Sequence, residues 1–376
     1  MIQTYITGSA IVSALGENKT DAVAHMYRLN NKEYASYRKS VFKHTPFYSI
    51  SDNNNKIIRF YAIIKQVIFD ALNDADIPSD EYHDLSVFIG STSMNISVTE
   101  QHWEEKGCFK DIGNGAISRF IDTLLQPDTP TTIFSTACTS STNALIAASN
   151  EIKEGRIKRA LVLGIEFFND ATYQGFNSLM LLSKTGVYMP LSPESNGIVL
   201  GEGCSAVILE AKPKAPNDFL ILGSKNIFDN YSETSSNPDG KVIYNTMYNA
   251  LTSSKLDLED LTLINIHSPG TEVSNEAESN ALEQLLYKNE NNYLKIPLIS
   301  MKPYIGHTLG ACSLNELVLL TAAVKEGFIP NTLGSTDTES FLFSKFHQLK
   351  KKEATILFSY NGFSGNNFSF VLSNKG

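Results

Sequence analysis

Short, continuous apolar runs recur along the whole chain: LSVFIGS at 85–91, RALVLGIEF at 159–167, CSAVILEA at 204–211, LTLINIHS at 261–268 and ATILFSY at 354–360. They lack the strict apolar–polar alternation of a strand with one wet face, so each reads as a strand covered on both faces. Between them, apolar residues fall at helical spacing over 60–77, 142–155, 274–287 and 313–327. Buried strands alternating with amphipathic helices predict an α/β protein. The two halves share a layout: a strand, a polar corner with a reactive side chain, then a helix. KPKAPND at 212–218 has the Pro and polar residues of a connector. Two halves are therefore expected, 1–212 and 213–376. The stretch 168–200, rich in Gly, Ser, Asn and aromatics, is expected to be irregular near a pocket or interface. SDNNNK at 51–56 reads as a flexible loop.

Composition narrows the function classes. A net charge of −9 excludes a general nucleic-acid binder, which needs a basic surface to displace counterions. No stretch approaches the roughly 18 apolar residues of a membrane span. The start, MIQTYITGSAIVSALGENK, has no basic region ahead of an apolar run. It reads as a strand, a glycine turn and a helix rather than as a signal peptide. Four scattered cysteines (Cys108, Cys138, Cys204, Cys312) form no CxxC pair, so neither a disulfide framework nor a zinc site is expected. A cytoplasmic protein with reduced thiols, no metal and no cofactor is the expectation.

Four stretches carry side chains suited to chemistry. In FSTACTSSTNALIAASNEI, Cys138 stands between a strand and a helix among small residues. A helix N-terminus favours thiolate and lowers a cysteine's pKa. The stretch by itself also fits a packed core cysteine. In INIHSPGTEVSNEAE, His267 ends a strand and faces a loop, either as a catalytic group or as a histidine satisfied by backbone. In SMKPYIGHTLGACSLNELVLL, His307 lies between Gly306 and Gly310, with Lys302 five residues before it and Glu316 nine after. In FSYNGFSGNNFSFVL, Gly362 and Gly365 break a hairpin at Phe363, where a backbone N–H can face an oxyanion.

These four stretches, in this order, resemble the β-ketoacyl-acyl-carrier-protein synthases, elongating condensing enzymes of the thiolase-like superfamily. The resemblance runs from ITGSAIVSALG at 6–16 to NGFSGNN at 361–367. It implies a thiolase-like fold: two duplicated α/β halves stacked as a five-layered α-β-α-β-α core. It also implies a decarboxylative Claisen condensation. Cys138 is then the acylated nucleophile, His267 and His307 stabilise the enolate, and Lys302 with Glu316 supports them. The N–H groups of Cys138 and Phe363 form the oxyanion hole, and Phe363 gates the cysteine. Thr271 and Gly362 contact the substrate. Implied partners are an acidic acyl carrier protein, docked near Lys56 and Arg59, and a second chain, identical or a sister subunit, in a dimer. His307 distinguishes this pattern from chain-initiating synthases, which resemble it but carry asparagine there.

The chain departs from the family pattern at Pro269, at Ser192, Ser195 and Asn196, and at Ser364, where a glycine is usual. Those departures imply a specialised polyene or polyketide role beside the fatty-acid one. Two other readings stand beside the enzyme. A chain-length-factor subunit would shape a sister's pocket, though such subunits usually lack the cysteine. A thiolase-like acyltransferase or hydrolase would use Cys138 without decarboxylation.

Overall fold

The computed structural model describes residues 2–30, 40–42, 45–50, 56–108, 113–289 and 292–375. Residues 51–55 of the expected loop lie outside the described residues, and Lys56 already opens a helix. The first half contributes β1 (Tyr5–Ser13), α1 (Lys19–Leu29), α2 (Lys56–Asp74), β2 (Leu85–Gly90), β3 (Thr132–Phe134) and α3 (Ser140–Lys153). It continues through β4 (Arg159–Glu166), α4 (Asp170–Ser178) and β5 (Gly203–Glu210). The second half contributes β6 (Phe219–Phe228), α5 (Lys241–Ser254), β7 (Leu263–Asn265), α6 (Glu272–Leu286) and β8 (Pro297–Ile299). Then follow α7 (Cys312–Glu326), β9 (Leu342–Phe343), β10 (Thr355–Asn361) and β11 (Asn366–Ser373).

The strands run in the order β9-β8-β7-β10-β11-β6-β1-β5-β4-β2-β3. In the sheet, the ladders of the two halves meet where Tyr5 pairs with Leu220 and Ile6 with Phe219. Within the first half, β1 is antiparallel to β5 and β5 to β4, whereas β4, β2 and β3 are parallel. The second half repeats the pattern: β6 is antiparallel to β11 and β11 to β10, whereas β10, β7 and β8 are parallel. This is the duplication that the layout of the sequence predicts.

Three apolar cores separate five layers. In the first outer core, Phe60, Ile64 and Val67 of α2 cluster with Ala10 and Val12 of β1 and Ala206 and Ile208 of β5. In the opposite one, Met247 of α5 and Leu282 of α6 pack on Ile264, Leu357 and Val371. Between the two sheet halves, α3 and α7 share a core with Phe88 and Val162 on one side and Ile356 and Phe358 on the other. Every residue of α7 from Cys312 to Val324 is buried, as a helix enclosed on all sides requires. Gly90 permits the close fit of α3: a Cβ there would stand 2.3 Å from the Ser141 Cα.

The N-termini of the two central helices meet. The Ser141 and Ser313 hydroxyls are 2.6 Å apart, and the Cys312 thiol donates to the Cys138 carbonyl at 3.3 Å. The stretch expected to be irregular begins instead with α4, because the Asn169 side chain caps it by accepting from the Thr172 N–H at 2.8 Å. No helix among the described residues is long and apolar enough to cross a membrane.

Candidate active site

Cys138 follows β3 and precedes Thr139, the N-cap of α3. The corner is sharp, since Ala137 takes a left-handed φ of 51°, at an expense of roughly 1–2 kcal/mol for a residue with a side chain. Ser140 secures it, its hydroxyl accepting from the Thr136 N–H at 2.9 Å and donating to the Ala137 carbonyl at 2.6 Å. The thiol is nearly buried, with Cys138 6% exposed.

His307 comes from the loop before α7. Gly306, at φ 72°, turns the chain, and the His307 N–H donates to the Val199 carbonyl at 2.7 Å. The ring Nε2 lies 3.2 Å from the Cys138 sulfur. On the far side of the ring, Nδ1 accepts from the Leu309 N–H at 3.2 Å. A nitrogen that accepts carries no proton, so in the neutral ring the proton sits on Nε2 and points at the sulfur.

His267 stands just past β7. Its own N–H and that of Ser268 both donate to the Glu278 carboxylate, at 2.7 and 2.6 Å. Its ring meets that of His307 edge-on, with centroids 5.2 Å apart. Its Nδ1 is buried and has no protein partner among the described residues. The sulfur and one nitrogen from each histidine lie within 4.8 Å of one another. Such a trio also has the donor types of a soft metal site. The Leu309 N–H argues against it, because it leaves the His307 nitrogen that faces the sulfur protonated.

Beneath the trio, Lys302 and Glu316 form a fully buried ion pair at 2.8 Å. The Glu316 carboxylate also accepts from Asn265 at 2.9 Å and from the Tyr360 hydroxyl at 3.0 Å. Burial works against the Lys302 charge, but Glu316 outweighs it and holds the ammonium above its usual range. Burial first, and the Lys302 charge second, push both histidines well below the usual imidazole range. Both are therefore neutral N–H donors at neutral pH.

The cysteine differs from the expectation. Burial pushes its thiol up to about 11, against the opposing pull of the Lys302 charge and the Phe363 N–H. The helix N-terminus does not offset that desolvation. The resting group is a thiol, and its proton must leave as it reacts.

The turn between β10 and β11 completes the site. The N–H of Phe363 points at the sulfur, and Gly362 lies close against the Cys138 backbone. Ser364, in the usual glycine position, adopts a left-handed φ of 59°. The Phe363 ring stacks on Phe176 of α4, with centroids 5.9 Å apart. These rings, Pro269, Ser274 and the two histidines line a narrow cleft over Cys138.

Two residues fall elsewhere than the resemblance implies. Thr271 caps α6, its hydroxyl accepting from the Ser274 N–H at 3.4 Å and donating to the Ser274 hydroxyl at 2.7 Å, and it is not among the residues lining the cleft. Arg59 turns inward to the buried Glu202 and lies 5.6 Å from the Phe167 ring centre, so its charge is committed internally. Lys56 stays partly exposed, 3.9 Å from Glu100.

Sequence reasoning missed Glu278, Asn265, Tyr360 and Glu166. Glu166 accepts from the Thr92, Ser93 and Gly310 N–H groups at 3.0, 3.0 and 3.1 Å, tying the loop after β2 to the His307 loop. A signal for Glu278 was present. It shares the apolar face of α6 with Leu282 and Ala281, where an unpaired acid is rare.

Residues 6–215 match the family described as Beta-ketoacyl synthase, N-terminal domain, and residues 219–336 match its C-terminal domain. This chain belongs to the β-ketoacyl synthase family. The chain is 32% identical over 210 residues to a putative mitochondrial 3-oxoacyl-acyl-carrier-protein synthase of Schizosaccharomyces pombe. That alignment covers 53% of this chain and 49% of the relative, so the chain spans about half the relative's length. The fold matches the ketosynthase ApeO, solved with its chain length factor ApeC from Xenorhabdus doucetiae. The TM-score is 0.80 at 22% identity, over 99% of this chain and 98% of that chain. It also matches the AntDE:AntF assembly of a type II ketosynthase and acyl-carrier protein. There the TM-score is 0.80 at 18% identity, over 99% of both chains.

Proposed function

We propose that this synthase elongates acyl chains by decarboxylative Claisen condensation. The observation that carries the reading is the Nε2 of His307, 3.2 Å from a buried cysteine sulfur, with its Nδ1 accepting from the Leu309 N–H and the His267 ring beside it.

In the first half-reaction the Cys138 sulfur attacks the carbonyl of an acyl thioester. The N–H groups of Cys138 and Phe363 hold the oxyanion, each donor contributing about 3–4 kcal/mol. The carrier thiolate leaves and takes up the proton lost by Cys138. In the second half-reaction a malonyl thioester loses carbon dioxide. The electron pair of the broken C–C bond becomes an enolate, and the ring N–H groups of His267 and His307 donate to its oxygen. The enolate carbon attacks acyl-Cys138, a C–C bond forms, and the Cys138 sulfur leaves and is reprotonated. The product is a β-ketoacyl thioester two carbons longer.

The acyl carrier is an acyl carrier protein, and the site reactions need no metal or redox cofactor. Pro269 in the cleft, the Ser195 hydroxyl donating to the Gly270 carbonyl at 2.8 Å, and Ser364 in the turn support a specialised polyene or polyketide substrate. The chain works as a dimer, with an identical or a sister chain adding to the partly exposed sheet edge at β3. The division into halves at 212–213 falls in the connector between β5 and β6. Four free cysteines support a reducing, cytoplasmic setting. The chain-length-factor reading is disfavoured by the complete Cys-His-His trio.

Cys138→Ala, offered acyl- and malonyl-loaded carrier protein, tests the reading. Acyl transfer to the chain and condensation must both disappear. Either one persisting at the native rate removes the proposal.

A further inference from the structure

A second, larger cleft lies away from Cys138. It is about 1030 Å³ and opens between β1, α1 and the C-terminal end of α7. The helix α7 has fifteen residues, about 20 Å along its axis. Its first residue touches the nucleophile's carbonyl, and Thr321, Ala322, Lys325 and Glu326 at its other end line the cleft. The floor is apolar, formed by Ile6, Val23, Phe219 and Phe328, all buried. Tyr27 forms a wall, edge-on to Phe328 and Phe346 at 5.2 and 5.3 Å.

The rim carries charge of two kinds. Lys19 is paired with Asp74, and Lys325 with Asp218 at 2.9 Å. Arg28 and Lys352 are exposed, line the cleft, and form no ion pair with a described residue. Among the described residues, Arg28 donates to the Ala24 carbonyl of its own helix, at 3.3 Å. The Lys352 stem lies across Gly327, 3.6 Å from where a Cβ would stand. Glu326 is the lining acid left without an ion pair among the described residues. Among the described residues, two cations without an ion pair against one such acid, over an apolar floor, stand out on a chain of net charge −9.

We infer that this cleft binds a soluble single-chain amphiphile with an anionic head. The chain lies on Ile6, Val23, Phe219 and Phe328, and the head meets Arg28 and Lys352. Arg offers a planar fork to an acid group, and an apolar-lined concavity of this size admits a ligand of that class. The inference is independent of the chemistry at Cys138.

Isothermal titration with decanoate, below its aggregation concentration, tests it on the full chain. The native protein and Cys138→Ala are expected to show one saturable site of equal affinity. The double charge reversal R28E/K352E is expected to bind at least tenfold more weakly, and decanol to bind the native protein at least tenfold more weakly than decanoate. Arg28 and Lys352 are exposed, so the reversal should keep the native circular-dichroism spectrum and melting temperature. R28Q/K352Q serves in its place if it does not. Absence of saturable binding, or equal affinity in the native and doubly substituted proteins, overturns the inference.

Discussion

Glu316→Leu should destabilise the protein severely, and Lys302→Met introduced with it should recover part of the loss. Both side chains of the pair are fully buried, 2.8 Å apart. Removing the carboxylate strands an ammonium in the core, which typically costs about 3–5 kcal/mol. It also leaves the Asn265 amide and the Tyr360 hydroxyl without their acceptor, each worth about 1–3 kcal/mol when unsatisfied. Domains are stable by only about 5–15 kcal/mol, so the single variant lies near the folding threshold. Lys302→Met alone should cost less, because Glu316 keeps its Asn265 and Tyr360 donors. Together the two substitutions remove both charges, and their summed losses should exceed the loss in the double variant by more than about 2 kcal/mol. Urea unfolding of all four proteins, followed by circular dichroism, measures that coupling. Additive losses, or a loss below about 1 kcal/mol for Glu316→Leu, would refute the buried-pair argument.

Three further expectations concern the site. His307→Ala should leave acyl transfer to Cys138 measurable while lowering condensation about 100- to 1000-fold, read as labelled carbon dioxide released from malonyl carrier. Burial raises the Glu278 carboxyl from 4.5 to about 7, so in the folded state it holds a proton that the unfolded chain has released. Its contribution is unfavourable above the unfolded pKa, and stability should fall as pH rises from 4.5 towards 7, by about 3 kcal/mol at most. Glu278→Gln should show a flatter profile over that window in urea unfolding at stepped pH, and an unchanged slope would count against the assignment. Ser364→Gly relieves a left-handed φ of 59° and should raise stability by up to about 1 kcal/mol, seen as a higher urea midpoint.

The proposed reactive residues could be located in the sequence because Cys138 and His267 end apolar runs, and His307 stands between glycines ahead of a helix. The buried strands revealed the α/β architecture. What the sequence hid is contact between distant segments. Nothing near Arg59 shows that its guanidinium turns to Glu202, 143 residues away. Asn265 and Tyr360 read as ordinary strand residues until both are seen on the Glu316 carboxylate. The Cys138 thiol illustrates a competition of effects. A helix N-terminus lowers a cysteine's pKa, yet enclosure by both central helices raises it further, and only the packed fold reveals which prevails. Thr271 also caps a helix, its hydroxyl accepting from the Ser274 N–H three residues on.

Intact-protein mass spectrometry during a single turnover tests the central claim most directly. The native chain is incubated with acyl-loaded carrier protein and then chased with malonyl carrier. The account predicts one acyl mass on a peptide containing Cys138, lost on the chase as a β-ketoacyl carrier two carbons longer appears. An acyl group on any other residue, or one on Cys138 that the chase releases as free acid without elongation, would contradict it.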